Sequence, residues 1–220
     1  QFLVQRHHVN KSKIELVKLG VLTERFTFSK KLRSQVRKKY KIKADEVVLM
    51  YSGNIYPRKY LEMLVSAFSK LKSDKAKLLI VGGGEKSYMK KIKSMVAELN
   101  LGSRVIFTGF VDPKFLRNYY SACDIAVWAN NNSISTMEAM ACKRPVIMPA
   151  LQLKELASYN NGYAFTPLNE HHLLKCMERL VNDKALRLKM GLNGYKAVIK
   201  NFDYGDIAKE FLKIAEKVKT

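Results

Sequence analysis

From residue 47 onward, short runs that are apolar throughout alternate with amphipathic stretches, and this alternation leaves few architectures open. The runs are VVLMYSG (47–53), KLLIVGG (77–83), RVIFTGF (104–110), DIAVWA (124–129), PVIMPA (145–150) and GYAFTP (162–167). They are rich in Val and Ile and most close on Gly, Pro or Asn, which marks them as strands. A strand with no polar face is buried on both sides, as in a parallel sheet covered by helices. Between the runs, Leu61, Leu64, Val65, Phe68 and Leu71 repeat at three-to-four spacing, and residues 87–99 and 114–122 behave similarly. After Pro167 the pattern is helical over 170–182, 184–200 and 204–218. The expected fold is α/β: a Rossmann-like, doubly wound parallel sheet of about six strands, with helices on both faces and a helical carboxyl-terminal tail. Ahead of it, KIELV (13–17) reads as a strand, followed by GVLTERF and a basic helix.

Charge narrows the partners. Forty Lys and Arg against nineteen acids give a formal net charge of +21. Nucleic acid, an anionic membrane surface or a phosphorylated substrate would each answer it. The cations are spread over many elements and no recognition motif is present, which argues against nucleic acid. The densest cluster, KKLRSQVRKKYKIK (30–43), holds eight basic residues in fourteen. Its simpler reading is a solvated helix face; its sharper reading is a surface helix on anionic lipid headgroups. Cys123, Cys142 and Cys176 are odd in number and lack metal spacing, so they read as reduced structural thiols of a cytoplasmic protein. No apolar run approaches the ~18 residues of a membrane span. No leader is visible, and the start at Gln1 suggests a piece of a longer protein.

Ligands of open α/β sheets sit beyond the carboxyl ends of the strands, and three such ends carry suggestive residues. In YSGNIYPRKYLEML (51–64), Gly53 allows a tight turn, and Arg58 and Lys59 come just before or within the first turn of a helix. Cations there oppose the helix dipole unless an anion lies between. They read either as surface cations of a basic chain, which spacing alone favours, or as a diphosphate site. In IVGGGEKSYM (80–89), three glycines close a strand without completing G-x-G-x-x-G, which allows a tight turn or a close approach of ligand to backbone. In DIAVWANNNSISTMEAMAC (124–142), Ser135-x-x-Glu138 fits a capping box. The same residues allow phosphate binding by the N–H groups of 133–136 and the hydroxyls of Ser133, Ser135 and Thr136, with Glu138 accepting from ribose hydroxyls. The pairs His7–His8 and His171–His172 have no metal spacing and read as surface residues.

Taken in order over residues 13–212, these pieces resemble the C-terminal half of retaining GT-B glycosyltransferases of family 4, the group 1 type. KIELVKLGVLTERF is similar to the interdomain segment, YSGNIYPRK to the GR-x-x-x-x-K strand end, and MEAMACKRPVI to EAMACG-x-PV. LLIVGGGE, RVIFTGFV, YYSACDIAV, NNGYAFTP and NFDYGDIAKEF follow in the family's order. The resemblance implies that 1–23 is the tail of an upstream domain and linker, 24–203 a nucleotide-sugar-binding domain, and 204–220 a helix that packs back on the upstream domain. It implies transfer of a sugar from a nucleoside-diphosphate donor with retention, without metal or cofactor, and no turnover by these 220 residues alone. Arg58 and Lys59 would hold the departing diphosphate and Glu138 the ribose. Gly53, Asn54, Phe110, Val111, Asn130, Ser133, Ile134, Ser135 and Thr136 complete the implied substrate-binding set. Four positions depart from the pattern: Asn130 replaces an acid, Ser133 and Lys143 replace glycines, and Asn54 replaces an Arg. These departures suggest a second reading, a binding subunit that has lost catalysis; a basic nucleic-acid-binding domain is a third.

Overall fold

The computed structural model describes residues 2–130, 134–150 and 158–218. Six strands form one parallel sheet: β1 (Val47–Ser52), β2 (Ala76–Val81), β3 (Val105–Gly109), β4 (Ile125–Val127), β5 (Val146–Pro149) and β6 (Gly162–Phe165), in the order β3-β2-β1-β4-β5-β6. The six apolar runs of the sequence are these six strands, and Val48 through Tyr51 and Leu78 through Val81 are at most 1% exposed.

The helices are α1 (Phe2–His7), α2 (Lys30–Lys39), α3 (Leu61–Ser69), α4 (Lys86–Glu98), α5 (Leu116–Ala122), α6 (Ile134–Ala141), α7 (Glu170–Asn182), α8 (Lys184–Asn201) and α9 (Tyr204–Val218). Helix α3 packs on α4 and α7; on the other face α2 packs on α5, and α6 on α5 and α8. The sheet is covered on both sides, as uniformly apolar strands require. Strand order reverses between β1 and β4, so a crevice opens at the carboxyl ends of those two strands.

Two expectations at the amino-terminal side need correction. KIELV is not a strand: Lys11–Lys13 is a short 3-10 turn, residues 14–20 have no regular structure, and Leu16 is 85% exposed. An apolar pattern forms a strand only where a sheet edge receives it, and among the described residues none does. Val21 is the residue that pairs, forming a parallel bridge with Asp203. Its N–H donates to Phe202 O (2.9 Å) and its carbonyl accepts from Tyr204 N (3.0 Å).

The basic helix α2 is likewise more than a solvated face. Val36 and Arg37 are buried, and Arg33 and Arg37 point inward. Arg33 donates to Asp124 Oδ1 (2.7 Å) and Arg37 to Asp124 Oδ2 (2.6 Å). Arg33 also reaches the carbonyls of Ser121, Ala122 and Cys123, and Arg37 that of Ala122. The last carbonyls of α5 lack intrahelical donors, and a cation at a helix C-terminus also suits the dipole. Two of the eight basic residues in 30–43 therefore anchor α2 to the amino-terminal end of β4.

Candidate active site

The crevice is built first by backbone. Gly53 follows β1 with φ 142°, and Gly53 N donates to Val81 O (3.0 Å). Ile55 N then donates to Gly83 O (2.9 Å) and Glu85 N to Ile55 O (3.1 Å), so pairing between the two chain segments continues past the strand ends. A Cβ on Gly82 would lie 2.0 Å from Gly53 O, and one on Gly84 2.0 Å from Ile55 O. Two of the three glycines, Gly82 and Gly84, are thus filled by the protein's own backbone and not held open for a ligand. Asn54 gives its carbonyl to the Tyr51 hydroxyl (2.8 Å).

Arg58 and Lys59 lie on the short 3-10 turn Pro57–Lys59 immediately before α3. Lys59 is half-buried, and its ammonium pKa is lowered, first by burial and then by the neighbouring Arg58 charge. The Arg58 guanidinium stacks 5.8 Å from the Tyr56 ring centre. Asn54, Tyr56, Pro57, Arg58 and Glu85 line an open cleft of about 480 Å³.

The end of β4 closes on this turn. Trp128 Nε1 donates to Ser52 O (2.9 Å), and Asn130 Nδ2 donates to Arg58 O (2.6 Å). Asn130 therefore ties the loop after β4 to the cation-bearing turn after β1. A carboxylate could not make this bond, because it has no proton to give a carbonyl.

Ser133 falls outside the described residues. Helix α6 begins at Ile134, which is 43% exposed. Ser135 sits within its first turn, and Thr136 is fully buried, its Oγ1 without a hydrogen-bond partner among the described residues. The capping-box expectation is overturned: Ser135 is inside the helix, and Glu138 pairs with Tyr120 instead of reaching back to the Ser135 backbone. Glu138 Oε2 accepts from the Tyr120 hydroxyl (3.1 Å), which also bonds Ser52 Oγ (2.7 Å). Burial raises the Glu138 pKa, opposed by the Tyr120 bond and by the Arg25 charge. Glu138 borders a cleft of about 350 Å³ shared with Arg25, Ile134 and Tyr204.

The structure thus brings Asn54 and Arg58 to one cleft, with Gly53 and Lys59 their chain neighbours and Asn130 bonded to the Arg58 carbonyl, and places Glu138 on the neighbouring helix, held to β1 through Tyr120 and Ser52. Phe110, 77% exposed, lies beside Gly83 at the end of β3, with the partly buried Val111 packed on the core. Sequence reasoning missed Tyr120, Arg25 and Trp128. Tyr120 and Glu138 are 18 residues apart, and no local pattern announces a pair at that distance. Among the described residues no group of three His, Cys, Asp or Glu gathers to hold a metal ion. No helix there is long and apolar enough to cross a membrane. His172 does more than lie on the surface: its Nδ1 accepts from Thr166 N (3.1 Å), fastening the turn before α7.

Comparison with known proteins agrees with this fold. The family model described as glycosyl transferases group 1 matches residues 33–197. An uncharacterised glycosyltransferase of Methanocaldococcus jannaschii is 27% identical over 185 residues, covering 81% of this chain and 47% of its own. The chain spans about half that relative's length. HepE of Anabaena, solved in complex with UDP, superposes with a TM-score of 0.88 at 20% identity, over 96% of this chain and 59% of its own. The C-terminal domain of a group 1 family glycosyl transferase from Francisella tularensis superposes with a TM-score of 0.75 at 26% identity, over 84% of this chain and 100% of its own. The chain belongs to the group 1 glycosyl transferases and has the fold of their C-terminal domain.

Proposed function

We propose that this domain binds a nucleoside-diphosphate sugar and that the protein containing it transfers the sugar to an acceptor with retention of configuration. The observation that carries this reading is the turn at Arg58 and Lys59, two cations fastened by Asn130 at the point where strand order reverses. The barrier to transfer includes charge growing on the departing diphosphate. Preorganised cations in a partly dehydrated site stabilise such charge best, because they need not reorganise as it develops. Half-burial of Lys59 supplies that setting. Arg58 and Lys59 would serve the leaving group without metal, the N–H groups at the start of α6 would share the phosphate oxygens, and Glu138 would accept from the ribose. Gly53, Asn54, Phe110, Val111, Ile134 and Ser135 would line the donor, and Ser133 and Thr136 would take part through backbone. HepE has been solved with UDP and with UDP-glucose, which favours a uridine donor as the first to try.

On this reading residues 1–23 are the tail of an upstream acceptor domain and its linker, 204–220 is a helix that packs back on that domain, and the 220 residues alone bind nucleotide weakly without turnover. The outer cations of 30–43 would hold the protein against the cytoplasmic membrane face; cosedimentation with anionic vesicles, abolished by neutralising them, is the expected result. The test of the site is a thermal-shift panel of UDP, GDP, ADP and their sugars on the parent, Lys59→Ala and Glu138→Ala. A ligand of the native state raises Tm with the logarithm of its excess. Unchanged affinity for every nucleotide in both variants would sink the assignment.

A second reading, a glycosyltransferase-like subunit without catalysis, is favoured by Asn130. Its amide is spent on the Arg58 carbonyl, at the position where the resemblance expects a carboxylate for the sugar. Donor hydrolysis or transfer by the full-length protein rules it out.

A further inference from the structure

A second cleft, of about 460 Å³, opens at the amino-terminal ends of β4 and β5, the opposite end of the sheet from the proposed donor site. Arg33, Lys143, Arg144, Lys184 and Arg187 line it, against the single carboxylate of Asp124. That carboxylate is already engaged by Arg33, Arg37 and Val48 N.

None of the other four cations forms an ion pair among the described residues, although Asp124 attracts Arg144 and Arg187, and Asp183 attracts Arg187, from further off. Arg144 donates Nε to Cys142 O (2.8 Å) and Nη1 to Cys123 O (3.0 Å). Arg187 donates Nη1 to Leu180 O (2.6 Å) and Val181 O (2.8 Å). Carbonyls orient these guanidiniums but carry no charge to offset them, and burial pushes the pKa of both down. Arg144 Nη2 and Arg187 Nε and Nη2 have no protein acceptor among the described residues. Lys143 holds a left-handed backbone (φ 59°), a conformation unfavourable for a side-chain-bearing residue. Its ammonium lies 4.7 Å from the Tyr195 ring centre. Lys184 is the first residue of α8, where a cation opposes the helix dipole. Two lysines in unfavourable positions and two guanidiniums with no carboxylate at ion-pair distance share one concavity, whose remaining wall is Phe28, Pro145, Leu188 and Leu192.

We propose that this cleft binds a phosphate-bearing ligand, the phosphate seated among Lys143, Arg144, Lys184 and Arg187 and the rest of the molecule against the apolar wall. A phosphate or diphosphate carries two or more charges and offers the forked acceptors that guanidinium prefers, so it relieves the mutual repulsion better than a carboxylate. The volume exceeds what one phosphate fills and lies within the usual range of small-molecule sites. The ligand is a soluble phosphate ester or a lipid headgroup, which share this chemistry.

The test titrates the chain with pyrophosphate at constant ionic strength and follows backbone amide shifts. Saturable shifts at Lys143, Arg144 and 184–188 are expected. The double variant Lys143→Gly/Lys184→Gln relieves the backbone conformation and touches no anchoring bond, so it should fold. It should bind pyrophosphate at this site at least about tenfold more weakly, the size of one lost charge-assisted bond, with UDP affinity unchanged. Competition for the same amides by phosphatidic-acid vesicles identifies a headgroup; its absence, with the pyrophosphate shifts present, identifies a soluble ester. Shifts confined to 53–59, equal pyrophosphate affinity in the folded double variant, or no shift with either probe overturns the proposal.

Discussion

Replacing Asp124 with Asn should destabilise the domain by about 3 kcal/mol. Its two oxygens receive Arg33 Nη2 (2.7 Å), Arg37 Nη2 (2.6 Å) and Val48 N (2.8 Å). An Asn keeps the shape and one acceptor, but it turns an NH₂ group toward a guanidinium that has no proton acceptor to offer. Breaking a buried ion pair from one side costs roughly 3–5 kcal/mol, because the remaining charge stays dehydrated. The side chain of Arg37 is 7% exposed and that of Asp124 15%, which points to the upper part of this range. Arg33 is 24% exposed and can recover some hydration, which points to the lower. In a domain of this size, ~3 kcal/mol corresponds to a fall in Tm of roughly 6–12 °C. Urea unfolding should show a lower midpoint with an unchanged slope, and the loss should persist in high salt because the pair is shielded from solvent. A cycle with Arg37→Gln should give a coupling of at least about 1 kcal/mol. An Asp124→Asn variant within 1 kcal/mol of the parent, or a cycle additive to about 0.3 kcal/mol, would refute the claim that α2 is anchored through this carboxylate.

Glu138→Gln should raise Tm at pH 7 while weakening nucleotide binding. Burial raises the Glu138 pKa above 4.5, so ionisation lowers stability as pH climbs from the unfolded-state value through the folded one; the variant should lack that slope in a pH series of melting curves. If ionised Glu138 accepts from ribose, parental affinity should also fall as pH drops below the raised value, and titration calorimetry reads this directly. Lys59→Ala in the full-length protein should cut kcat by roughly two orders of magnitude, about 3 kcal/mol of leaving-group stabilisation, as measured by steady-state transfer. Gly82→Ala should cost at least about 3 kcal/mol by chemical denaturation, because its Cβ meets Gly53 O at 2.0 Å; a variant of parental stability would show that the loop gives way easily.

The sheet was legible because its strands are buried on both faces, and that burial writes itself into sequence as unbroken Val, Ile and Leu. The helices followed from apolar spacing, with Leu61–Ser69 falling inside the run from Leu61 to Leu71 and Lys86–Glu98 displaced by one residue from the expected 87–99. KIELV failed because an apolar run records the capacity to pair, not the presence of a partner. Arg33 and Arg37 failed for a related reason: composition counts charges without saying which carbonyls lie beneath them, and theirs are about 90 residues away. Ser135 and Glu138 matched a local pattern, but Tyr120 offers Glu138 a buried partner that the helix start does not. Arg58, Lys59 and Asn130 were visible only as separate strand ends; the bond between Asn130 and the Arg58 carbonyl needed the fold.

The sheet order also shapes how the chain must be made. Strand β1 sits in the middle of the sheet, yet its partner β4 lies 76 residues further along, with Asp124 meeting Val48 across that separation. Strand β2 can pair with β1 early, but the other edge of β1, apolar on both faces, waits for β4. At ribosomal speeds of about 5–20 residues per second the wait lasts roughly 4–15 s. During that interval an unpaired apolar edge is a template for association with other chains. The backbone of β4 covers that edge, and the Asp124 carboxylate arriving with it ties α2 to the same seam, so the exposed edge of β1 lasts until β4 is made.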